Sequence, residues 1–404
     1  MSNTVELDKK IYLDHASTTP VDREVLELMW PYFSPEYGNP SSMHKSGRKA
    51  GQALGQARKE AAHLLNASPE EIIFTGSGTE SDNLAILGIA RAYRGHGNHI
   101  IISAIEHKAI TEPAIVLQKE GFQVSVVPVN KEGVVNLKRL KELINDQTIL
   151  VSIMYANNEI GTIEPIQEIS KILKEKSHSK IFPIFHTDAC QAAGALSLDV
   201  RELGVDLMTV NSAKIYGPKG VGLLYKKREL KVYPVIVGGE QEMHLRAGTE
   251  NLPLIVGFVE ALKRADAKRV EESKRLIKLR DYFIHQILQK IPDAIVNGSL
   301  ENRLPNNVHI SIPQIEGESI LLLLDQKGVE ASTGSACSAY DLKPSHVLLA
   351  IGQSPEYAHG SIRFSLGRSN HKKEIDEVMK ILPQIVQHLK SLSALTTRQY
   401  TYGK

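Results

Sequence analysis

Asp206-Leu-Met-Thr-Val-Asn-Ser-Ala-Lys214-Ile-Tyr-Gly-Pro-Lys-Gly-Val-Gly222 sets an apolar, β-like run against a lysine and then a glycine-rich turn. Val205, Leu207, Met208 and Val210 read as a buried strand, and Gly217, Pro218, Gly220 and Gly222 bar a following helix. Lys214 is therefore expected at a strand end, the kind of position that lines binding crevices on parallel sheets. A lysine partly desolvated there falls in pKa and becomes a Schiff-base nucleophile or a general base. An isolated loop lysine is more commonly a solvated charge, so the rest of the chain has to decide.

Outward from that stretch, short β-branched runs at 71–75, 100–103, 124–129, 150–154, 181–186, 207–210 and 221–225 alternate with helical patterns. The helical patterns start near Thr79, His107, Leu137 and Ile166. This alternation predicts an α/β domain with a mostly parallel sheet. Near Asn251 the pattern changes to an amphipathic helix over 253–291, rich in Lys, Arg and Glu. Beyond Pro292 comes a smaller α+β region with strands at 307–312 and 362–366 and helices at 316–326 and 371–391. The tail, 396–404, is polar and expected to fray.

Composition narrows the class of function. With 404 residues and a formal charge of +2, the chain is long enough for more than one core and too near neutrality to suggest a nucleic-acid partner. No apolar run approaches the roughly 18 residues of a membrane span, and residues 1–10 lack a secretory h-region. A cytoplasmic location is expected, with no membrane partner. Cys190 and Cys337 cannot make a disulfide framework, and no Cys/His spacing reads as a zinc site.

Several motifs end apolar runs. Phe74-Thr-Gly-Ser-Gly-Thr79-Glu-Ser-Asp-Asn83 places a glycine-rich turn before a helix, where free N–H groups and the positive dipole end form an anion cradle. His186-Thr-Asp188-Ala-Cys190-Gln191 puts a carboxylate, a thiol and an amide at one strand end. A buried acid at Asp188 needs a cationic partner, either an arginine or a protonated pyridine nitrogen. Cys190, between an acid and an amide on an apolar run, reads as packed rather than reactive. Thr-Glu-His107-Lys and Tyr-Ala-Asn157-Asn158-Glu159 also follow strands. A lysine, an acid and a phosphate cup at neighbouring strand ends together describe a site for pyridoxal 5'-phosphate.

The motifs, in this order, resemble the NifS/IscS-like cysteine desulfurases, class V aminotransferase-like enzymes of PLP fold type I. The resemblance runs from Tyr12-Leu-Asp-His-Ala-Ser-Thr-Thr-Pro20 through Asn157-Asn-Glu-Ile-Gly161 and Arg246-Ala-Gly-Thr249 to Ser335-Ala-Cys337 and Ser361-Ile-Arg-Phe-Ser-Leu-Gly-Arg368. It implies a large domain with a mostly parallel seven-stranded sheet plus a smaller α+β domain. The expected division is an N-terminal segment, 1–20, joining the small domain; a cofactor-binding domain, 21–255; a connecting helix, 256–292; and a small domain, 293–404, carrying the Cys337 loop.

The resemblance also implies roles. Lys214 would be the Schiff-base lysine, Asp188 the partner of the pyridine nitrogen, and His107 a stacking acid/base. Gln191 and Asn158 would bond the phenolic oxygen or the substrate. Gly78 and Thr79, with Asn211 and Ser212, would hold the phosphate, joined by Thr249 from the other subunit of a homodimer. Arg363 would clamp the substrate carboxylate. Cys337, in the small-residue run Ala331-Ser-Thr-Gly-Ser-Ala-Cys-Ser-Ala-Tyr340, would take sulfur from L-cysteine as a persulfide, leaving L-alanine. The sulfur would pass to an acceptor such as an iron–sulfur scaffold protein. No resident metal is expected, although Cys337 could touch a transferred cluster. Other enzymes that share fold and lysine are a selenocysteine lyase or another class V aminotransferase, and a non-catalytic interaction protein is a further alternative. One departure stands out: the family's usual Ser-x-His before the lysine is here Asn211-Ser212-Ala213. The lost imidazole predicts weaker cofactor retention.

Overall fold

A computed structural model of the chain describes residues 10–177, 182–333 and 344–401. In chain order the strands are β1 (Ile11–Tyr12), β2 (Ile72–Thr75), β3 (His99–Ser103), β4 (Gln123–Val127), β5 (Thr148–Ser152) and β6 (Ile184–Asp188). They continue with β7 (Leu207–Asn211), β8 (Gly222–Lys226), β9 (Ile295–Val296), β10 (Asn307–Ser311), β11 (Val329–Glu330) and β12 (Ser361–Ser365). The main sheet has seven strands in the order β2-β8-β7-β6-β5-β3-β4, and only β8 runs antiparallel to its neighbours.

The apolar runs make this sheet because helices cover both of its faces. Every residue of β2, β3, β5, β6 and β8 is buried, which is why these strands read as continuous apolar segments rather than alternating ones. The edge strand β4 is mostly exposed or half-buried, and its Gln123 and Ser125 fit that place. One core holds Phe74, Val151, Phe185 and Met208 against the helix Lys45–Leu64 and the first half of Leu252–Lys290. On the opposite face Ile86 and Ile89 of helix Gly78–Ala92 pack on Ile100 and Ile184.

Helix Leu252–Lys290 has 39 residues, about 58 Å of rise, enough to serve two cores. Its later residues Leu279, Phe283 and Ile287 join a second core with Ile310, Phe364 and Leu382. There β10 pairs antiparallel with β12 and β9. β1 pairs with β11, and Asp14 bridges to Ser365. Among the described residues no helix is long and apolar enough to cross a membrane.

Two boundaries differ from expectation. β6 extends to Asp188, so the acid belongs to the strand; the run was expected to end at His186, although the ladder to β7 continues through Thr187 and Asp188. The last helix runs from Lys372 to Thr401 instead of ending near Ser391, because the chain offers no glycine or proline after Pro383 before Gly403.

Candidate active site

The carboxyl ends of the central strands open on a cavity of about 340 Å³, closed on its other side by residues from the N-terminal segment and from β12. The turn after β7 brings Lys214 into it, and the Lys214 ammonium donates to the Ser17 carbonyl. Thr19 pins that turn: its backbone N–H donates to the Ala213 carbonyl at 2.9 Å, and its hydroxyl accepts from Tyr216 N at 2.8 Å. Tyr216 takes a left-handed φ of 65°, a conformation the surrounding bonds have to hold.

Asp188 enters from β6, 6% exposed, with Oδ1 accepting the Cys190 N–H at 2.8 Å. Behind it lies a buried polar chain. Ser152 Oγ is 2.9 Å from His186 Nδ1, and His186 Nε2 is 3.1 Å from Thr209 Oγ1 and 3.7 Å from Asp82 Oδ1. Burial pushes His186 down to about 3, so its ring is neutral. Burial, with Asp188 nearby, pushes Asp82 well above the usual carboxylate range against an opposing hydrogen bond from Thr209. Cys190 is packed as expected, and burial raises its thiol pKa, with Asp188 and Asp82 adding to the shift.

Helix Gly78–Ala92 points its N-terminus at the same space. Ser77 caps it by accepting the Glu80 N–H, while Gly78 and Thr79 line the cavity. A Cβ on Gly78 would lie 2.8 Å from Cys190 Sγ, so the glycine keeps the helix start close to the strand ends. His107 caps helix Lys108–Lys119, its Nδ1 accepting the Ala109 N–H at 3.1 Å. In a neutral ring that bond leaves the proton on Nε2. Asn157 is buried and holds its own turn through Ile105, Glu159 and Ile160, whereas Asn158 lines the cavity. Gln191 donates from Nε2 to the Ala16 carbonyl at 2.9 Å, and Arg363 reaches in from β12.

The structure therefore brings together Lys214, Asp188, His107, Asn158, Gln191 and Arg363 around the Gly78–Thr79 helix start and Asn211. Two expected residues lie elsewhere. Ser212 is buried beneath the Gly217 turn, where a glycine Cβ would sit 2.1 Å from its Oγ, and Thr249 lines a separate cleft with Gly76 and Gly220. Cys337 lies outside the described residues. The donor set fits pyridoxal phosphate: an amine, an acid at a strand end, and a helix N-terminus beside Asn211, whose Nδ2 can donate and lies 3.3 Å from where a Cβ on Gly78 would sit.

Sequence reasoning missed Asp14, Ser17, Asp82, Glu106 and His346. Ser17, Asp82, Glu106 and His346 line the cavity, and Asp14 bonds Arg363. Asp82 had a signal, since it follows Thr79 by three positions in the same helix and so shares its face. Asp14 had none beyond its place in a quoted motif.

The comparisons agree with this geometry. The family model described as aminotransferase class V matches residues 11–378. A "Cysteine desulfurase IscS" of Dictyoglomus turgidum is 49% identical over 387 residues, covering 96% of this chain and 97% of the relative. One of the same name from Methanosarcina thermophila is 49% identical over 393 residues, covering 97% and 96%. A solved "NifS-like protein" superposes with a TM-score of 0.88 at 37% identity, covering 94% of this chain and all of that one.

Proposed function

The chain belongs to the class V aminotransferase family, and we infer that within it the protein is a pyridoxal-phosphate-dependent cysteine desulfurase. It converts L-cysteine to L-alanine and hands the sulfur to an acceptor. The observation that carries this reading is the meeting of Lys214, Asp188, the Gly78–Thr79 helix start and Arg363 in one cavity. Near-full-length relatives that bear the desulfurase name support it.

Lys214 would hold the cofactor through its aldehyde, Asp188 would face the pyridine nitrogen, and Gly78, Thr79 and Asn211 would hold the phosphate. When bound, the cofactor supplies an electron sink for the charge left when the substrate loses its Cα proton. The Lys214 amine would take that proton, with the Ser17 carbonyl holding it in place. His107 carries its own proton at Nε2 and is placed to exchange it with the substrate. Arg363 receives the substrate carboxylate.

The Cys337 thiolate attacks the substrate's sulfur. The carbon–sulfur bond breaks and a sulfur–sulfur bond forms, and the carbon fragment takes up one proton at Cβ and regains one at Cα to leave as L-alanine. The flanks of the segment support this placement. Ser332 pairs with the backbone of Arg363, and the His346 ring donates from Nε2 to the Glu106 carbonyl at 2.9 Å. Cys337 follows Ser332 by five residues, a stretch that spans at most about 17 Å when extended.

The same reading assigns cofactor binding to 21–255 and the thiol to 293–404, with 256–292 joining them. It is supported by the division of helix Leu252–Lys290 between two cores. The functional unit is a homodimer in which Thr249 serves the partner's phosphate cup. Thr249's absence from its own cavity supports this, as do exposed apolar side chains such as Trp30, Tyr37 and Val237.

Purified protein given pyridoxal phosphate and L-cysteine is expected to release L-alanine and, with a thiol reductant, sulfide. Cys337→Ser is expected to abolish alanine release while keeping the cofactor's absorbance. Alanine release retained in that variant would overturn the role of the thiol, and none from the unaltered protein would overturn the function.

A further inference from the structure

Arg363 is 2% exposed, so each hydrogen its guanidinium donates has to find an acceptor. Nη2 donates to Asp14 Oδ1 at 2.9 Å and to Ser17 Oγ at 2.8 Å, and Nη1 donates to the Asn158 carbonyl at 2.8 Å. Ser17 Oγ is also 2.8 Å from Asp14 Oδ1. A guanidinium only donates and a carboxylate only accepts, so the Ser17 hydrogen goes to Asp14 and its lone pair receives Arg363. The directions of all three bonds are fixed. Two of the five N–H hydrogens are left over, the second on Nη1 and the one on Nε, and Nε has no partner among the described residues; the side chain lines the cavity.

The chain builds this arrangement from two distant segments. Asp14 bridges to Ser365, two positions along β12 from Arg363, and side chains two apart on a strand share a face. The Tyr12 hydroxyl donates to the Asp14 and Thr18 carbonyls at 3.1 and 2.9 Å and closes the intervening turn. That turn also offers the Ser17 carbonyl to Lys214 and the Ala16 carbonyl to Gln191.

We propose that the Asp14–Ser17 turn positions the substrate: it holds Arg363 by Nη2 and so sets the guanidinium that lines the cavity for the substrate carboxylate, while the same turn holds the Lys214 amine through the Ser17 carbonyl. Asp14 is a positioning residue, acting through Arg363 without touching the substrate. The proposal rests on the reading of Arg363 as the carboxylate clamp.

Steady-state kinetics and binding on the holoenzyme test it. Asp14→Asn keeps the shape and removes the charge-assisted acceptor. The KM for L-cysteine is expected to rise about tenfold or more while kcat changes less than about threefold. Ser17→Ala keeps the ion pair and is expected to raise KM by about three- to fivefold. In an Arg363→Lys background the Asp14→Asn effect should largely vanish, since the two residues act as one unit. Calorimetric binding of L-alanine, which has the carboxylate and no sulfur, should weaken by the same factor as KM rises. That readout separates the proposal from the functional reading, because it holds even if the protein removes no sulfur. Unchanged KM and unchanged alanine affinity, with only a lower melting temperature, would make the pair structural and overturn the proposal. A KM that falls would overturn it too, by making Asp14 a competitor for Arg363. Should Asp14→Asn fail to fold, Ser17→Ala decides: an unchanged alanine affinity sinks the idea.

Discussion

Glu106 precedes His107 and is fully buried, with Oε1 accepting from Ser103 Oγ at 2.6 Å and from Met154 N at 2.8 Å. Its Oε2 has no partner. Burial pushes its pKa from 4.5 up to about 8, against those two hydrogen bonds and with help from Asp188 and Glu164. The folded state thus keeps a proton that the unfolded chain gives up near its ordinary value. Stability from this group is full below 4.5 and is lost as pH rises toward about 8. Glu164, also raised to about 8 by burial, slopes the same way. Glu106→Gln keeps both accepted bonds and cannot titrate. Between about pH 5 and about pH 8 the melting temperature of the cofactor-free variant should fall less than that of the unaltered protein. Equal falls would show that Glu106 does not carry the slope. Lys214, Asp188 and His107 were legible in the sequence because each ends an apolar run. Asp14 was not, since its role depends on an arginine 349 positions away.

At the scale of elements, the end of β7 is where this chain departs from the pattern that the resemblance implied. Asn211 lines the cavity, Ser212 turns beneath Gly217, and Ala213 contributes only a carbonyl, which accepts from Thr19. A phosphate held here would draw one amide from this turn, where Ser-x-His would supply a hydroxyl and an imidazole. Ala213→His would restore a donor worth about 1.5 to 3 kcal/mol if it reaches the phosphate. Cofactor loss on dialysis should slow about tenfold or more in the variant, followed by absorbance of the retained cofactor. An unchanged rate would mean that the remaining donors already suffice. The alternation of strands and helices was readable because buried parallel strands are uniformly apolar. The ends were less so: β6 outlasts its apolar run because Thr187 and Asp188 keep pairing with β7, and periodicity does not register a polar residue held by a ladder.

For the whole molecule, the site lies where two cores meet, and helix Leu252–Lys290 spans both. The N-terminal segment crosses that seam, bridging Asp14 to Ser365 on one side and Thr19 to Ala213 on the other. Thr249 is the residue this arrangement leaves out. It lies in a cleft with Gly76, Gly220 and Arg246, and that arginine pairs with Glu80 at 2.9 Å. If Thr249 completes the phosphate cup of a second copy, each site takes Lys214 from one chain and Thr249 from the other. Lys214→Ala and Thr249→Ala chains, each impaired alone, would then complement each other. A dimer of one with the other has one site with both residues native and one with neither. Unfolding and refolding the mixture should return alanine release to about a quarter of the unaltered activity, because random pairing makes about half the dimers mixed, each with one good site. If Thr249 acted within its own chain, no combination would hold a complete site, and the mixture would be no more active than its parts.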